Sequence, residues 1–475
     1  MDKEKFKEID SFFHPRSVAI VGATRKTDWM WVRCFTHGAF HGRVYPVNPK
    51  EKSVLGLQCY ASLMDIPDEV DYVINAVPAQ KTPGIIEDCV RKGVKVVSVF
   101  TSGFSETGTE EGRKLEGEIV RIAKSGVGVD PNLRIVGPNC MGFHCPEGGI
   151  TFRNDLSMEW GSVGFVSQSG GNAIRCAMVG MDLGIKYSKI VSYGNACDLN
   201  ESDFIEYMTE DPKTRIITAY LEGTKDGRRL FEVLREAAKK KPVIVCKGGR
   251  TERGSKAVAS HTGAVSGERR VWDAMFRQAG VVQVKDWMEL SNTTLAFLNS
   301  PVPRGRRVGI VTISGGSGVA NTDICTEAGL DVHPLSRQTV ELLSSKIHKI
   351  GTNVKNPVDL AIDYINMGII ELVLNSLMKD ENIDAVIFES TFHDMVGPKW
   401  MTDIVDEMRN DVIGIGRRQR SLGKPFIVVV PRHLFEDRRE KDRRAYLDAR
   451  IPVYPDIVRA AEVLRNISFV SGKSG

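Results

Sequence analysis

The chain has no C-x-x-C pair among its nine cysteines, no apolar run approaching a membrane span, and no basic stripe with interleaved aromatics. The first absence argues against a zinc site and leaves reduced, structural cysteines. The second excludes a transmembrane helix, which needs ~18 or more apolar residues. The start, Met1-Asp-Lys-Glu-Lys-Phe-Lys-Glu8, is charged where a secretory signal needs an apolar core, so a cytoplasmic location is expected. The third, with a net charge of only +4 over 475 residues, points away from nucleic acid and membrane surfaces as partners. Two nucleotide motifs are also missing: Gly-x-x-x-x-Gly-Lys-Ser/Thr, and the Gly-x-Gly-x-x-Gly of dinucleotide-binding sheets. No metal site is expected.

What the chain has is 45 glycines set among Val/Ile runs and Lys/Glu-rich intervals. That pattern predicts repeated strand, turn and helix units, an α/β protein of parallel sheets covered by helices. The length suits roughly three domains. Ser17–Gly22, Val44–Asn48, Tyr72–Val77, Val94–Phe100 and Arg134–Gly137 read as successive strands with helical intervals. They predict a doubly wound, Rossmann-like domain over residues 1–150, with ligands beyond the carboxyl ends of its strands.

A second domain is expected over 151–300 and a third over 301–475, divided at the Pro301-Val-Pro303 linker. They echo one another: Val163-Gly-Phe-Val-Ser-Gln-Ser-Gly-Gly171 matches Val308-Gly-Ile-Val-Thr-Ile-Ser-Gly-Gly316. A duplicated flavodoxin-like unit is the simplest reading. Each copy is a strand, a Ser/Gly turn and a helix start, where free backbone N–H groups and the helix dipole favour an anion. The candidate phosphate-binding residues are Ser167, Ser169 and Gly170 in one copy, and Ser314, Gly315, Gly316, Ser317 and Gly318 in the other. The charge run Glu436–Arg444 reads as a solvated helix face, and Lys473-Ser-Gly475 as a frayed tail.

One histidine stands apart. In Ala257-Val-Ala-Ser-His-Thr-Gly-Ala-Val-Ser-Gly267 there is no large apolar residue to bury His261, which predicts a displayed side chain on a long glycine-studded loop beyond the Val243–Cys246 strand. The run Ser-His-Thr-Gly, downstream of a Lys-x-Gly-Arg segment, resembles the phosphorylated-histidine loop of the NDP-forming acyl-CoA synthetases, which include succinyl-CoA synthetase and the ADP-forming acetate–CoA ligases.

The resemblance covers about Phe12 to Ile467 and follows the alpha-subunit domain order. It implies a first domain that binds CoA, and two later helices aimed at the histidine. It implies a phosphohistidine on His261, with Glu222, in Ala219-Tyr-Leu-Glu-Gly-Thr224, holding the ring. An imidazole attacking phosphorus through one nitrogen needs an acceptor for the proton on the other. The turn Arg134-Ile-Val-Gly-Pro-Asn-Cys140 is similar to the family segment near the thioester, making Asn139 the candidate side chain there and Cys140 a packing residue. Gly22, Thr24, Asn48, Lys50, Pro78, Thr101, Ser102 and Gly103 are the implied CoA contacts.

The resemblance further implies reversible conversion of acyl-CoA, phosphate and ADP to acid, CoA and ATP. ADP/ATP with Mg2+ would sit on a separate ATP-grasp beta subunit in an α2β2 hetero-oligomer, since no nucleotide module is seen here. The chain departs from the family after its first strand, where Gly22-Ala-Thr-Arg-Lys-Thr-Asp-Trp-Met-Trp-Val32 sets Trp29 and Trp31 in place of small residues. The indoles line an altered CoA pocket, mark a degraded one, or are core residues of the first helix. A non-catalytic CoA-binding regulatory subunit is therefore the alternative reading. An NAD-dependent oxidoreductase is disfavoured by the missing glycine spacing and by the lack of an acidic residue ending the Val44–Val47 strand.

Overall fold

The structure is a computed structural model that describes residues 1–36, 39–125, 133–262, 268–395, 399–432 and 435–471; at 257, 259–262, 399–402 and 471 only the backbone is described. The chain forms two compact units, Met1–Leu290 and Ser291–Gly475.

The first unit holds two sheets. β1 (Ser17–Val21), β2 (Arg43–Val47), β3 (Tyr72–Asn75), β4 (Val96–Val99) and β5 (Arg134–Val136) pair in the order β2-β1-β3-β4-β5, all parallel. β1, β3 and β4 are buried at every position, without alternation, as strands covered on both faces must be. Helices Thr82–Lys92 and Glu110–Ser125 contribute Ile86, Cys89, Ile119 and Ile122 to the same core as Val73 and Val97.

The second sheet contains β6 (Gly142–His144), β7 (Val163–Ser167), β8 (Tyr187–Ser192), β9 (Ile216–Leu221), β10 (Val243–Lys247) and β11 (Val282–Val284), in the order β11-β10-β9-β7-β8-β6. Only β6 is antiparallel, pairing along β8. It therefore extends the second sheet although it precedes residue 150 in the chain.

In the second unit, β12 (Val308–Thr312), β13 (Val358–Asp359), β14 (Ala385–Glu389), β15 (Phe426–Val429) and β16 (Val453–Tyr454) form a parallel sheet in the order β13-β12-β14-β15-β16. Counted from its own first parallel strand, each of the three sheets runs 2-1-3-4-5, the flavodoxin-like order. Each reverses direction between strands 1 and 3, which opens a crevice at their carboxyl ends.

The charged helix Glu436–Asp448 is not simply a solvated face. Arg439 and Asp442 are buried, and Asp442 accepts a hydrogen bond from Arg409 at 2.8 Å. Tyr446 and Leu447 are the only large apolar residues that the helix buries. Its inner stripe is completed by charged side chains, which must be paired to be buried.

A second kind of ionic tie occurs once within each unit. Arg16, before β1, donates its backbone N–H at 2.8 Å and its Nε at 3.1 Å to Asp71, before β3. Arg307, before β12, grips Asp384, before β14, in the same way at 3.0 Å for both atoms. Burial alone would raise the Asp71 carboxyl, but Arg16 and Lys95, the latter at 2.8 Å, outweigh it and hold the group down at about 2. Because the folded value lies below the unfolded one of about 3.9, this carboxylate stabilises the fold above pH ~4 and loses that contribution as pH falls toward 2. Asp71→Asn should therefore flatten the acid limb of stability measured by circular dichroism between those values. An unchanged limb would count against the assignment.

Candidate active site

The strand order sets β7, β9 and β10 side by side, so three consecutive carboxyl ends deliver their next residues to one place. Beyond β7 come Gln168 and Ser169, then helix Gly170–Asp182. Ser169 caps this helix, its Oγ accepting from the Asn172 N–H at 3.3 Å. The first-turn N–H groups lack intrahelical partners, as at any helix start, and carry the positive end of the dipole.

Beyond β9 comes Glu222, buried at 5% exposure. Its backbone is gripped on both sides. The Gln168 Oε1 accepts from the N–H groups of Glu222 at 2.7 Å and Gly223 at 3.0 Å. From β10, the Lys247 Nζ donates to the Glu222 carbonyl at 2.7 Å. Lys247 lies 4.8 Å from the Trp272 ring centroid and is itself buried. Burial lowers its ammonium to about 8, with the Glu222 charge acting against that shift. Tyr220 is pushed up by burial and then by Glu222. Glu222 and Lys247 are thus desolvated, and charge interactions between them are strong.

Helix Glu252–Thr262 follows β10 through Gly248 and Gly249, and His261 falls in its last turn. This corrects the expected loop. Glu252, Lys256, Ala257 and Ala259 set good helix formers among the serines and glycines, and carry the helix up to the histidine. The expected display of the His261 side chain, and residues 263–267, lie outside the described residues.

The first sheet makes a second crevice. Gly22, Asn48, Pro78 and the Thr101–Gly103 segment follow β1, β2, β3 and β4, and Asn139 follows β5, so all the expected CoA and thioester contacts share one end of the sheet. Gly22 is left-handed at φ +94, and a Cβ there would stand 2.9 Å from the Ala76 carbonyl carbon and oxygen. Only glycine allows that close approach of the two loops across the crevice.

Some expected donors are already used by the protein. Asn48 spans the β1 and β2 loops, donating to the Ala23 carbonyl at 2.6 Å and accepting from the Lys50 N–H at 2.9 Å. The Gly103 N–H donates to Glu106 at 2.5 Å. Thr24 accepts from Lys26 at 3.4 Å. Lys50, Pro78 and Ser102 are exposed. Asn139, at φ +57, donates its N–H to the Thr101 carbonyl at 3.1 Å. Cys140 is buried, which pushes its thiol up to about 12 and suits packing rather than nucleophilic attack.

The two crevices join. Asn195 and Cys197 donate to the carbonyls of Pro138 and Gly137, each at 2.9 Å, and Met141 donates to Ser192 Oγ at 3.1 Å. A Cβ on Gly170 would stand 2.9 Å from Met141 Cγ. The expected acyl turn therefore abuts the start of the Gly170–Asp182 helix.

In the second unit, Ser314 ends the β12 turn and caps helix Gly315–Glu327 without a side-chain hydrogen bond. Ser314, Gly315 and Gly316 are exposed, while Gly318 is buried and donates to the Ser314 carbonyl at 2.9 Å. A cavity of about 220 Å³ lies along this start, lined by Gly315, Gly318, Thr322, Asn353 and Asp359 among others. Among the described residues, no group of three or more His, Cys, Asp or Glu side chains is placed to hold a metal ion. No described helix is long and apolar enough to cross a membrane.

Comparison with known proteins finds two domain families in the first unit. Residues 16–146 match a CoA binding domain, and residues 160–297 a succinyl-CoA ligase like flavodoxin domain. The alpha subunit of acetate–CoA ligase [ADP-forming] II from Pyrococcus furiosus is 38% identical over 388 residues, covering 80% of this chain and 81% of that protein. The chain belongs to the NDP-forming acyl-CoA synthetase family. Another relative, acetate–CoA ligase [ADP-forming] II of Archaeoglobus fulgidus, is 33% identical; the match takes in 97% of this chain but 67% of that longer protein. A solved acetyl-coenzyme A synthetase 1 of Ca. Korarchaeum cryptofilum, in complex with phosphate and ADP, superposes with a TM-score of 0.81 at 29% identity, covering 98% of this chain and 97% of that one.

Within this family chain, two site residues carry more than their sequence suggested. Gln168 reads as one polar residue of a turn, and Lys247 as the polar end of a strand. The one available signal is a lysine closing an otherwise apolar five-residue run, Val243-Ile-Val-Cys-Lys247. Gln168→Ala should leave two buried N–H groups without an acceptor and cost about 1–3 kcal/mol. Urea unfolding checks this, and a smaller loss would mean that water replaces the amide.

Proposed function

We propose that the chain is the alpha-type half of an acid–CoA ligase that reversibly converts acyl-CoA, phosphate and ADP to organic acid, CoA and ATP. The observation that carries the reading is the convergence, at three adjacent strand ends, of the Ser169-capped helix start, the clamped Glu222 and the helix bearing His261. The domain matches and the ligase relatives support it.

In this reading, phosphate attacks the thioester carbonyl beside the Gly137–Cys140 turn. A C–O bond forms, the C–S bond breaks, and CoA leaves as the thiol after taking a proton. Phosphate binding falls to Ser167, Ser169 and Gly170, with Ser314–Gly318 proposed for the same role. The first-turn N–H groups and the nearby Lys247 supply positive charge for the phosphoryl oxygens. A His261 ring nitrogen then attacks phosphorus, the acyl-phosphate P–O bond breaks, and the carboxylate leaves. Glu222 accepts a hydrogen bond from the N–H of the other ring nitrogen, which keeps its proton, and steadies the charged ring.

The residues of the first sheet fit CoA: Gly22 lets the loops beyond β1 and β3 approach closely at the crevice, and Lys50 stands exposed beyond β2 for a phosphate. A beta-type ATP-grasp partner, holding the nucleotide and Mg2+ in a hetero-oligomer, completes the proposal. The relative named a subunit alpha and the longer A. fulgidus protein both suit that division. The nine free cysteines suit a reducing, cytoplasmic setting.

Incubation of the purified chain with radiolabelled phosphate and a panel of acyl-CoAs should give acid-labile, base-stable label. His261→Ala should abolish that label, and Glu222→Gln should cut its rate by at least tenfold. Label persisting in His261→Ala would overturn the assignment. CoA binding with no label from any acyl-CoA would favour the regulatory reading.

A further inference from the structure

The two tryptophans after β1 part company in the structure. Trp31 is 5% exposed and packs edge-on against Phe100 at 5.1 Å, a core contact. Trp29 is half-buried, with a backbone φ of +56 that follows the +47 of Asp28. Two successive left-handed residues, one of them bulky, are strained.

The strained turn is held by its surroundings. The Trp29 N–H donates to the Thr24 carbonyl at 3.2 Å. Arg33 secures Asp28 through the Asp28 carbonyl at 2.8 Å and its carboxylate at 3.0 Å. Strain kept in place at a binding crevice calls for a use of the side chain that it positions.

The neighbours say what that use is. The Arg25 guanidinium lies 5.9 Å from the Trp29 ring centroid and 3.7 Å from Glu51, three residues beyond Asn48 at the end of β2. In doubly wound sheets the residues beyond the second strand mark the ribose of a bound nucleotide, and an arginine there accommodates a ribose phosphate. Arg25 is 78% exposed and only loosely paired, so a phosphate dianion is a stronger partner than Glu51. Lys26 and Lys50, its neighbours along the two loops, are exposed cations.

We infer that Trp29 and Arg25 form the nucleotide clamp of the CoA site, the indole stacking on adenine and Arg25 pairing with the ribose 3′-phosphate. The inference rests on the CoA-binding reading above and deepens it. Side-chain recognition here takes the place of the small-residue turn that relatives use after their first strand. Lys26 adds charge beside the diphosphate.

Isothermal titration of the full chain with CoA and with 3′-dephospho-CoA tests the clamp. Arg25→Ala should weaken CoA roughly tenfold and leave dephospho-CoA within about twofold. Trp29→Gly should weaken both ligands roughly tenfold, by loss of stacking. The same variant should melt at the wild-type temperature or above, because glycine accepts the left-handed turn without strain. Wild-type CoA affinity in both variants would overturn the clamp. So would equal losses for the two ligands in Arg25→Ala, or a lowered melting temperature in Trp29→Gly, which would make Trp29 structural. If the wild-type chain bound neither ligand, the CoA reading itself would fall, and the clamp with it.

Discussion

The site depends on how firmly the backbone of one residue is held. Glu222 offers a backbone N–H and a C=O at the end of β9, and side chains from the two neighbouring strands take one each: Gln168 beyond β7 accepts the first, and Lys247 at the end of β10 donates to the second. A carboxylate on a free strand end would sample several rotamers and lean toward solvent. Here the backbone is fixed from both sides and only 5% of the residue's surface is exposed, so the carboxylate is held inside the site rather than in solvent. Such placement is what electrostatic stabilisation in a desolvated site requires, because donors and charges held in position need not reorganise during the reaction. The lowered ammonium of Lys247 has the same origin, since the burial that fixes Glu222 also disfavours the lysine's charge.

The sheets explain why these groups meet. In a 2-1-3-4-5 parallel sheet, strands 1, 3 and 4 are central neighbours, so whatever follows them is delivered to one edge. In the second sheet those strands are β7, β9 and β10, and they supply the Ser/Gly turn proposed for phosphate, the acid and the lysine. The Arg–Asp tie before strands 1 and 3 in the first and third sheets pins the opposite, amino end of the same pair. The second sheet instead buries a Lys189–Asp211 pair at 2.8 Å. Ionic staples at one end leave the other end to carry chemistry.

Much of this was legible in the chain, for physical reasons. Short Val-rich runs without polar alternation, such as Ser17–Val21 and Val163–Ser167, read as strands buried on both faces, and glycine turns at their carboxyl ends locate the crevices. What escaped was tertiary. The serines and glycines around His261 read as a loop, whereas Glu252, Lys256 and the alanines at 257 and 259 carry a helix through it. Arg439 and Asp442 looked solvent-facing because the helix around them has little apolar stripe, and their burial follows from Arg409 on another helix. Gln168 and Lys247 act through backbone groups of a distant segment, which no local pattern reports.

The joining of the two crevices bears on how the proposed transfer is divided. The carbonyls of Gly137 and Pro138 accept from Cys197 and Asn195, and Met141 packs at Gly170, so acyl turn and phosphate turn form one hydrogen-bonded framework. An acyl phosphate made at the first has little distance to cover to the second. Glu222 is bound into that framework through Gln168, and cannot travel with a phosphoryl group. Any carriage toward a nucleotide therefore falls to the segment after β10, which leaves the framework through Gly248 and the left-handed Gly249. A glycine at φ +70 is where backbone rotation costs least. In the proposed transfer, the rigid half of the site would orient the imidazole and the segment after β10 would carry it.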